Sequence, residues 1–190
     1  MSFDIDCSKK VINKAKNGDK FALTQIYQLY KNAVYTLAFR MLRDEHRSND
    51  VLQTVMLKMM QTIKTVTDTS KFNGWLKRLA YNVVIDTIRS NSKLIHIGDE
   101  IDYDYSIEES LSTIDSAQWD IEKFLSILNE RERLVVYLYS VEGFSHKSIA
   151  AKLELSEQNS RVIFSRAMKT MTLLSKDERY AGQPLGVSYE

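Results

Sequence analysis

Apolar residues recur along this chain at steps of three and four. Phe21, Ile26, Tyr27, Tyr30, Val34, Leu37, Ala38, Met41 and Leu42 form the first series, which predicts an amphipathic helix of roughly six turns. Val51, Leu52, Val55, Met56, Met59, Met60 and Ile63 form a second series. Methionines at that spacing are core filler. A third helix is expected to start near Ser70, its N-cap. It runs through Phe72, Trp75, Leu76, Leu79, Ala80, Val83, Val84 and Ile88, with Phe72 and Trp75 in the core. Ser90-Asn91-Ser92 and the polar stretch after it end the pattern.

The period restarts at Asp120. Ile121, Phe124, Leu125 and Leu128 predict a short helix, and Glu130 to Val141 predicts another, stopped by Gly143. Ser145 is placed to cap a short helix holding Ile149, Ala150 and Leu153. A Glu154-Leu155 turn then leads to Ser156, the cap of a last helix reaching about Ser175. No stretch alternates as a strand would, and the only proline, Pro184, lies in the tail. The expected fold is all-α, with two small helical domains, 1–93 and 119–176, joined by a flexible acidic linker, 94–118. A flexible tail, 177–190, follows.

A short helix, a tight turn and a longer basic helix make a helix-turn-helix arrangement. Ala150 and Ala151 let the helices cross closely. A plain helical bundle would show the same pattern. Residues 158–176 tilt the reading toward nucleic acid, because they hold Arg161, Arg166, Lys169 and Lys176 and no acid.

Net charge is only +1 over 190 residues, but the charges are segregated. Residues 1–93 hold 16 Lys+Arg against 8 Asp+Glu. Residues 94–118 hold 7 acids (Asp99, Glu100, Asp102, Asp104, Glu108, Glu109, Asp115) and no Lys or Arg. Such asymmetry bears on partners rather than on fold. A solvated linker is the plain reading of the acidic strip; a strand that mimics nucleic acid inside a basic channel is the sharper one.

Several chemistries lack their residues. Cys7 is the only cysteine, so no intrachain disulfide forms, and His46, His96 and His146 have no metal-ligand spacing. The glycines make no phosphate-cradling loop and no nucleophile elbow. No metal, cofactor or enzymatic activity is expected. No apolar run approaches the ~20 residues of a membrane span, and the amino end does not read as a secretory signal, so a cytoplasmic location is expected.

Two blocks of residues carry a family resemblance. In the first half these are Asn17-Gly-Asp-Lys-Phe-Ala22, Asp50-Val-Leu-Gln53, and the run from Phe72-Asn-Gly-Trp75 to Asp86. In the second they are Leu128-Asn-Glu-Arg-Glu-Arg133, Val141-Glu-Gly-Phe-Ser145, Ile149-Ala150 and Leu155-Ser-Glu157. Their order and separation resemble an extracytoplasmic-function sigma factor, the smallest kind of bacterial RNA polymerase sigma subunit.

The resemblance implies a subunit that binds core RNA polymerase, at the β′ clamp and the β flap, and opens promoter DNA. It also implies an anti-sigma factor or other regulator. Asp50, Leu52, Gln53 and Met56 match the clamp-binding surface, and Lys77, Arg78, Tyr81, Asn82 and Arg89 match the reader of the downstream (−10) element. There cations meet phosphates, Asn82 can bond an unpaired base, and the Tyr81 ring can stack on one. The loop Thr65 to Lys71 matches the rim of a pocket for an extruded base. The acidic linker would thread toward the polymerase cleft until RNA displaces it.

Ser156, Gln158, Asn159, Arg161, Val162, Ser165 and Arg166 match the reader of the upstream (−35) element. The chain departs from the family there: Ser160 stands at a position usually apolar and buried, and Val162 and Ile163 replace polar and basic residues. These departures imply weakened reading of that element. Thr54 and Asn129 also stand where Glu and Pro are usual. A stand-alone helix-turn-helix regulator or polymerase adaptor is the alternative.

Overall fold

The computed structural model describes residues 3–95 and 125–175. These are helical, and the chain divides into two compact units, Met1–Asp102 and Tyr103–Glu190. Among the described residues no helix is long and apolar enough to cross a membrane.

The first unit packs four α-helices: α1 (Lys9–Lys16), α2 (Lys20–Leu42), α3 (Glu45–Thr62) and α4 (Phe72–Ile95). Local chemistry sets the ends. Gly18, at φ 85°, turns the chain between α1 and α2. Asp19 caps α2 by accepting from the Ala22 amide at 3.0 Å. Arg43 closes α2 in a left-handed conformation, and Asp44 then caps α3 through the Arg47 amide at 2.9 Å. Two residues thus reverse the chain, and α2 and α3 pack along each other, with α4 against both.

The core follows the sequence periods. Ile26, Tyr30, Val34 and Met41 of α2, Val55 and Met59 of α3, and Phe72, Leu76 and Val84 of α4 are all buried, and the three helices pack on one another. Each such side chain contributes about 1.5–3 kcal/mol by leaving water. The Tyr30 ring meets Phe72 edge-on at 5.7 Å, and Phe72 lies 5.6 Å from Trp75. Residues 3–7 form a strap over this cluster. Phe3 is buried against Tyr30. The Tyr30 hydroxyl donates to Asn73 Oδ1, and the Asn73 amide donates to the Ile5 carbonyl at 2.9 Å. Cys7 is in hydrogen-bond contact with the same hydroxyl, and burial pushes its thiol above the ordinary value. The thiol is therefore a poor nucleophile.

The boundaries of α4 differ from the sequence reading. Asp68, not Ser70, makes the cap: its Oδ1 accepts from the Ser70 amide at 2.9 Å and opens a 3-10 turn, Thr69–Lys71, ahead of the helix. At the other end α4 runs through Ser90-Asn91-Ser92 to Ile95. Serine and asparagine cost a helix only a few tenths of a kcal/mol each, too little to stop one already propagating. Phe21 also departs from the expected apolar face; it is 90% exposed.

The second unit packs α5 (Glu130–Ser140), α6 (His146–Leu153) and α7 (Glu157–Ser175). Asn129 caps α5 through a capping box with Glu132. An Asn therefore starts this helix well where the family usually has Pro. Buried Arg133 donates from Nε to the Leu125 carbonyl at 2.8 Å and from a terminal nitrogen to the Leu128 carbonyl at 2.7 Å. Leu125, Leu128, Val136 and Ala167 form a core cluster with Phe164 and Met171 against it. Ser145 caps α6 as expected, and Gly143 precedes it at φ 69°. The expected helix through Ile121 and Phe124, the linker from 96 onward and the tail from 177 lie outside the described residues.

Candidate nucleic-acid and partner interfaces

Three surfaces carry the residues the sequence singled out. The first is the outer face of α3. Asp50 and Gln53 are exposed there and Leu52 is half-buried. Met56 is not on the surface: at 3% exposure it belongs to the core, because it falls on the Val55–Met59 side of the helix. The face continues through residues the sequence reading missed. Leu57 is 59% exposed and Met60 39% exposed, and steps of three and four place both in line with Asp50 and Gln53. Helical spacing alone assigned Met60 to the core; only the packing of α2 against α3 shows which methionine faces out.

The second surface is α4 with the turn before it. Arg78 is exposed, and Asn82 and Arg89 are half-buried. Arg89 lies 3.8 Å from Asp86. Tyr81 is a correction: it is 4% exposed, and the Lys77 ammonium sits 5.9 Å above its ring. The ring is thus covered in this structure and carries the Lys77 ammonium over it. In the preceding turn Asp68 accepts from the Ser70 hydroxyl at 2.6 Å and lies 3.9 Å from Lys71. The Lys16 ammonium donates to the Val66 carbonyl at 2.6 Å. These contacts hold a short rim whose Thr65, Thr67, Ser70 and Lys71 are exposed.

The third surface is the helix-turn-helix. Glu154, at φ 55°, ends α6, and the Leu155 amide donates back to the Ala150 carbonyl at 3.0 Å. Ser156 caps α7 through the Asn159 amide at 3.1 Å. Gln158, Asn159, Arg161, Val162, Ser165 and Arg166 are all exposed along α7. Arg161 is paired with Glu157 at 2.6 Å. Such an exposed pair is worth at most about 1 kcal/mol, so it does not bar a phosphate from taking the guanidinium.

Ser160 is fully buried and bonds His146 Nδ1 at 3.0 Å. The His146 ring stacks on Tyr139 at 4.4 Å and meets Phe164 edge-on at 5.5 Å. The serine is thus matched by a buried histidine instead of leaving a gap in an apolar seam.

Comparison with known proteins assigns both units. The family model of Sigma-70 region 2 matches residues 26–94, and that of Sigma-70, region 4 matches residues 118–171. The chain is 28% identical over 156 residues to the ECF RNA polymerase sigma factor SigM of Bacillus subtilis (strain 168), covering 80% of this chain and 94% of that protein. The chain belongs to the extracytoplasmic-function sigma factors.

The factor is also 33% identical over 93 residues to SigW of Bacillus subtilis (strain 168), an alignment spanning 49% of this chain and 50% of that protein. The sigma factor RpoE of Bartonella quintana, solved in complex with the anti-sigma factor NepR, matches at 20% identity. That match has a TM-score of 0.49 and covers 82% of this chain and 98% of that one. The factor is a transcription initiation factor. A stand-alone helix-turn-helix regulator is not favoured, because the chain carries region 2 as well as region 4.

The buried His146–Ser160 pair is expected to make the stability of this sigma factor's second unit depend on pH. Burial holds His146 below its ordinary value; the Arg161 charge adds to this and Glu157 opposes it. The unfolded histidine takes up its proton near pH 6.5, and the folded one only at lower pH. The contribution of the neutral ring is therefore complete above about pH 6.5 and falls as the pH drops toward the folded value. Denaturant unfolding at pH 5 and pH 7.5 is expected to show less of this loss in His146→Gln than in the parent. Identical losses in both would remove His146 as the cause.

Proposed function

We propose that this sigma factor docks on core RNA polymerase through the outer face of α3 and opens promoters with α4 and the turn before it. Asp50 and Gln53 supply polar contacts to the β′ clamp, and Leu57 and Met60 supply the apolar area beside them. The single observation carrying this reading is that exposed apolar pair, in line with two exposed polar groups on one helix. Large apolar side chains left in water beside fixed polar ones are what a partner surface requires.

In this reading Lys77, Arg78, Asn82 and Arg89 hold the −10 strand, and the rim from Thr65 to Lys71 receives the extruded base. Ser156, Gln158, Asn159, Arg161, Val162, Ser165 and Arg166 on and before α7 face the −35 duplex, with the unit also meeting the β flap. Residues 1–93 and 119–176 are the two working domains, 94–118 the acidic linker between them, and 177–190 a tail. The factor works in the cytoplasm, where an anti-sigma factor or other regulator covers these surfaces when it is off.

The test is reconstitution. The full chain with bacterial core polymerase should co-elute as one complex and initiate from selected promoters, identified by sequencing the DNA the holoenzyme binds. Asp50→Ala with Gln53→Ala should weaken that complex about tenfold or more, with unchanged helix content. Undiminished co-elution of the double variant would remove the α3 assignment.

A further inference from the structure

We propose that α1 is a phosphate-binding rail for the melted promoter strand, continuing the path that begins at the turn before α4. The proposal rests on the reading of that turn and α4 as the promoter-opening surface. The turn Thr69–Lys71 packs against both α4 and α1, and the 3-10 turn Ile63–Thr65 also packs against α1. A strand leaving the base pocket therefore meets either α4 or α1.

One hydrogen bond fixes α1 along that rim. At its carboxyl end the Lys16 ammonium donates to the Val66 carbonyl at 2.6 Å. Near its amino end Lys9 is exposed, and its charge reaches Asp68. The Ser70 hydroxyl and amide do most to hold Asp68 below the ordinary carboxylate range, and Lys71 and then Lys9 add to this.

The charge suits one kind of occupant. In eight residues α1 carries Lys9, Lys10, Lys14 and Lys16 and no acid. The rim adds Lys71, and the 3-10 turn Ile63–Thr65 before it adds Lys64. The rim's one acid, Asp68, is engaged by Ser70 and Lys71. Lys9, Lys10 and Lys14 are exposed. Asp4 and Asp6 precede the helix, on the strap that Asn73 ties down through Ile5. Ammonium groups on flexible stems bind phosphates without reading bases, and α1 offers no aromatic ring for stacking. The occupant is therefore the sugar-phosphate backbone of the single strand. The region 2 match begins at residue 26, so α1 lies outside it.

The experiment compares parent and Lys9→Ala/Lys10→Ala holoenzymes on a promoter taken from the bound-DNA sequencing and pre-melted by mismatches at its −10 element. Binding is measured from low to moderate salt. Two lost contacts to a single strand should flatten the log–log salt dependence by about 1.4, roughly 0.7 for each. Co-elution with core polymerase should not change, and Lys9→Arg/Lys10→Arg should restore the slope. An unchanged slope in the alanine variant overturns the proposal. So does weakened binding to core polymerase without DNA, which would make α1 a protein-docking surface. If the parent holoenzyme opens no promoter at all, the reading of α4 has failed and the rail falls with it; that outcome is told apart because it is seen without any substitution.

Discussion

Arg133→Met is expected to lower the stability of the second unit by about 2–4 kcal/mol. The Arg133 side chain is 5% exposed, and its guanidinium donates to two carbonyls, those of Leu125 and Leu128. Hydrogen bonds to a charged group contribute about 1.5–3 kcal/mol each, and acceptors left buried without a donor add a desolvation cost. Methionine keeps most of the aliphatic stem, so little of the loss would come from packing. For a unit of this size the melting temperature should fall by roughly 10 °C or more. Amide exchange followed by mass spectrometry separates the units: α5, α6 and α7 should exchange faster while α2 and α3 stay protected. Equal acceleration in both units, or none, would show that the two carbonyls do not depend on Arg133.

Phe72→Ala should have a still larger effect, about 3–5 kcal/mol, on the first unit. Phe72 is 1% exposed at the first position of α4, between Tyr30 and Trp75. Removing the ring opens a cavity where the strap, α2 and α4 meet. Urea unfolding gives the stability loss. Under the proposed function the loss has a second side, because α4 would be freed at the end nearest the rim. Permanganate reactivity of promoter thymines should fall more than binding to core polymerase does. An equal fall in both would mean that the damage spreads through the whole unit.

Most of the architecture was legible in the sequence because the apolar periods are long and the caps are conventional. α2 and α3 follow from their spacing, and α5, α6 and α7 follow from Gly143, Ser145 and Ser156. α1 was not legible. Four of its eight residues are lysines and only Val11, Ile12 and Ala15 are apolar, too few to announce a period. The site residues were legible by type and less so by exposure. Met56 and Tyr81 face the core while Leu57 and Met60 face out, and neighbours on one helix differ this way only through the packing of other helices. Ser160 was visible as a departure from the family. Its partner was not, because His146 lies 14 positions away and nothing in the spacing couples the two.

The strap across Tyr30 and Asn73 also bears on how the protein is handled. Phe3 and Ile5 are anchored beside the first turn of α4, so a purification tag fused ahead of Met1 would hang within a few residues of the helix proposed to meet the promoter. A bulky or polyhistidine leader there adds volume and charge next to that surface. Affinities for DNA are expected to differ between leader-bearing and cleaved protein even when both bind polymerase alike.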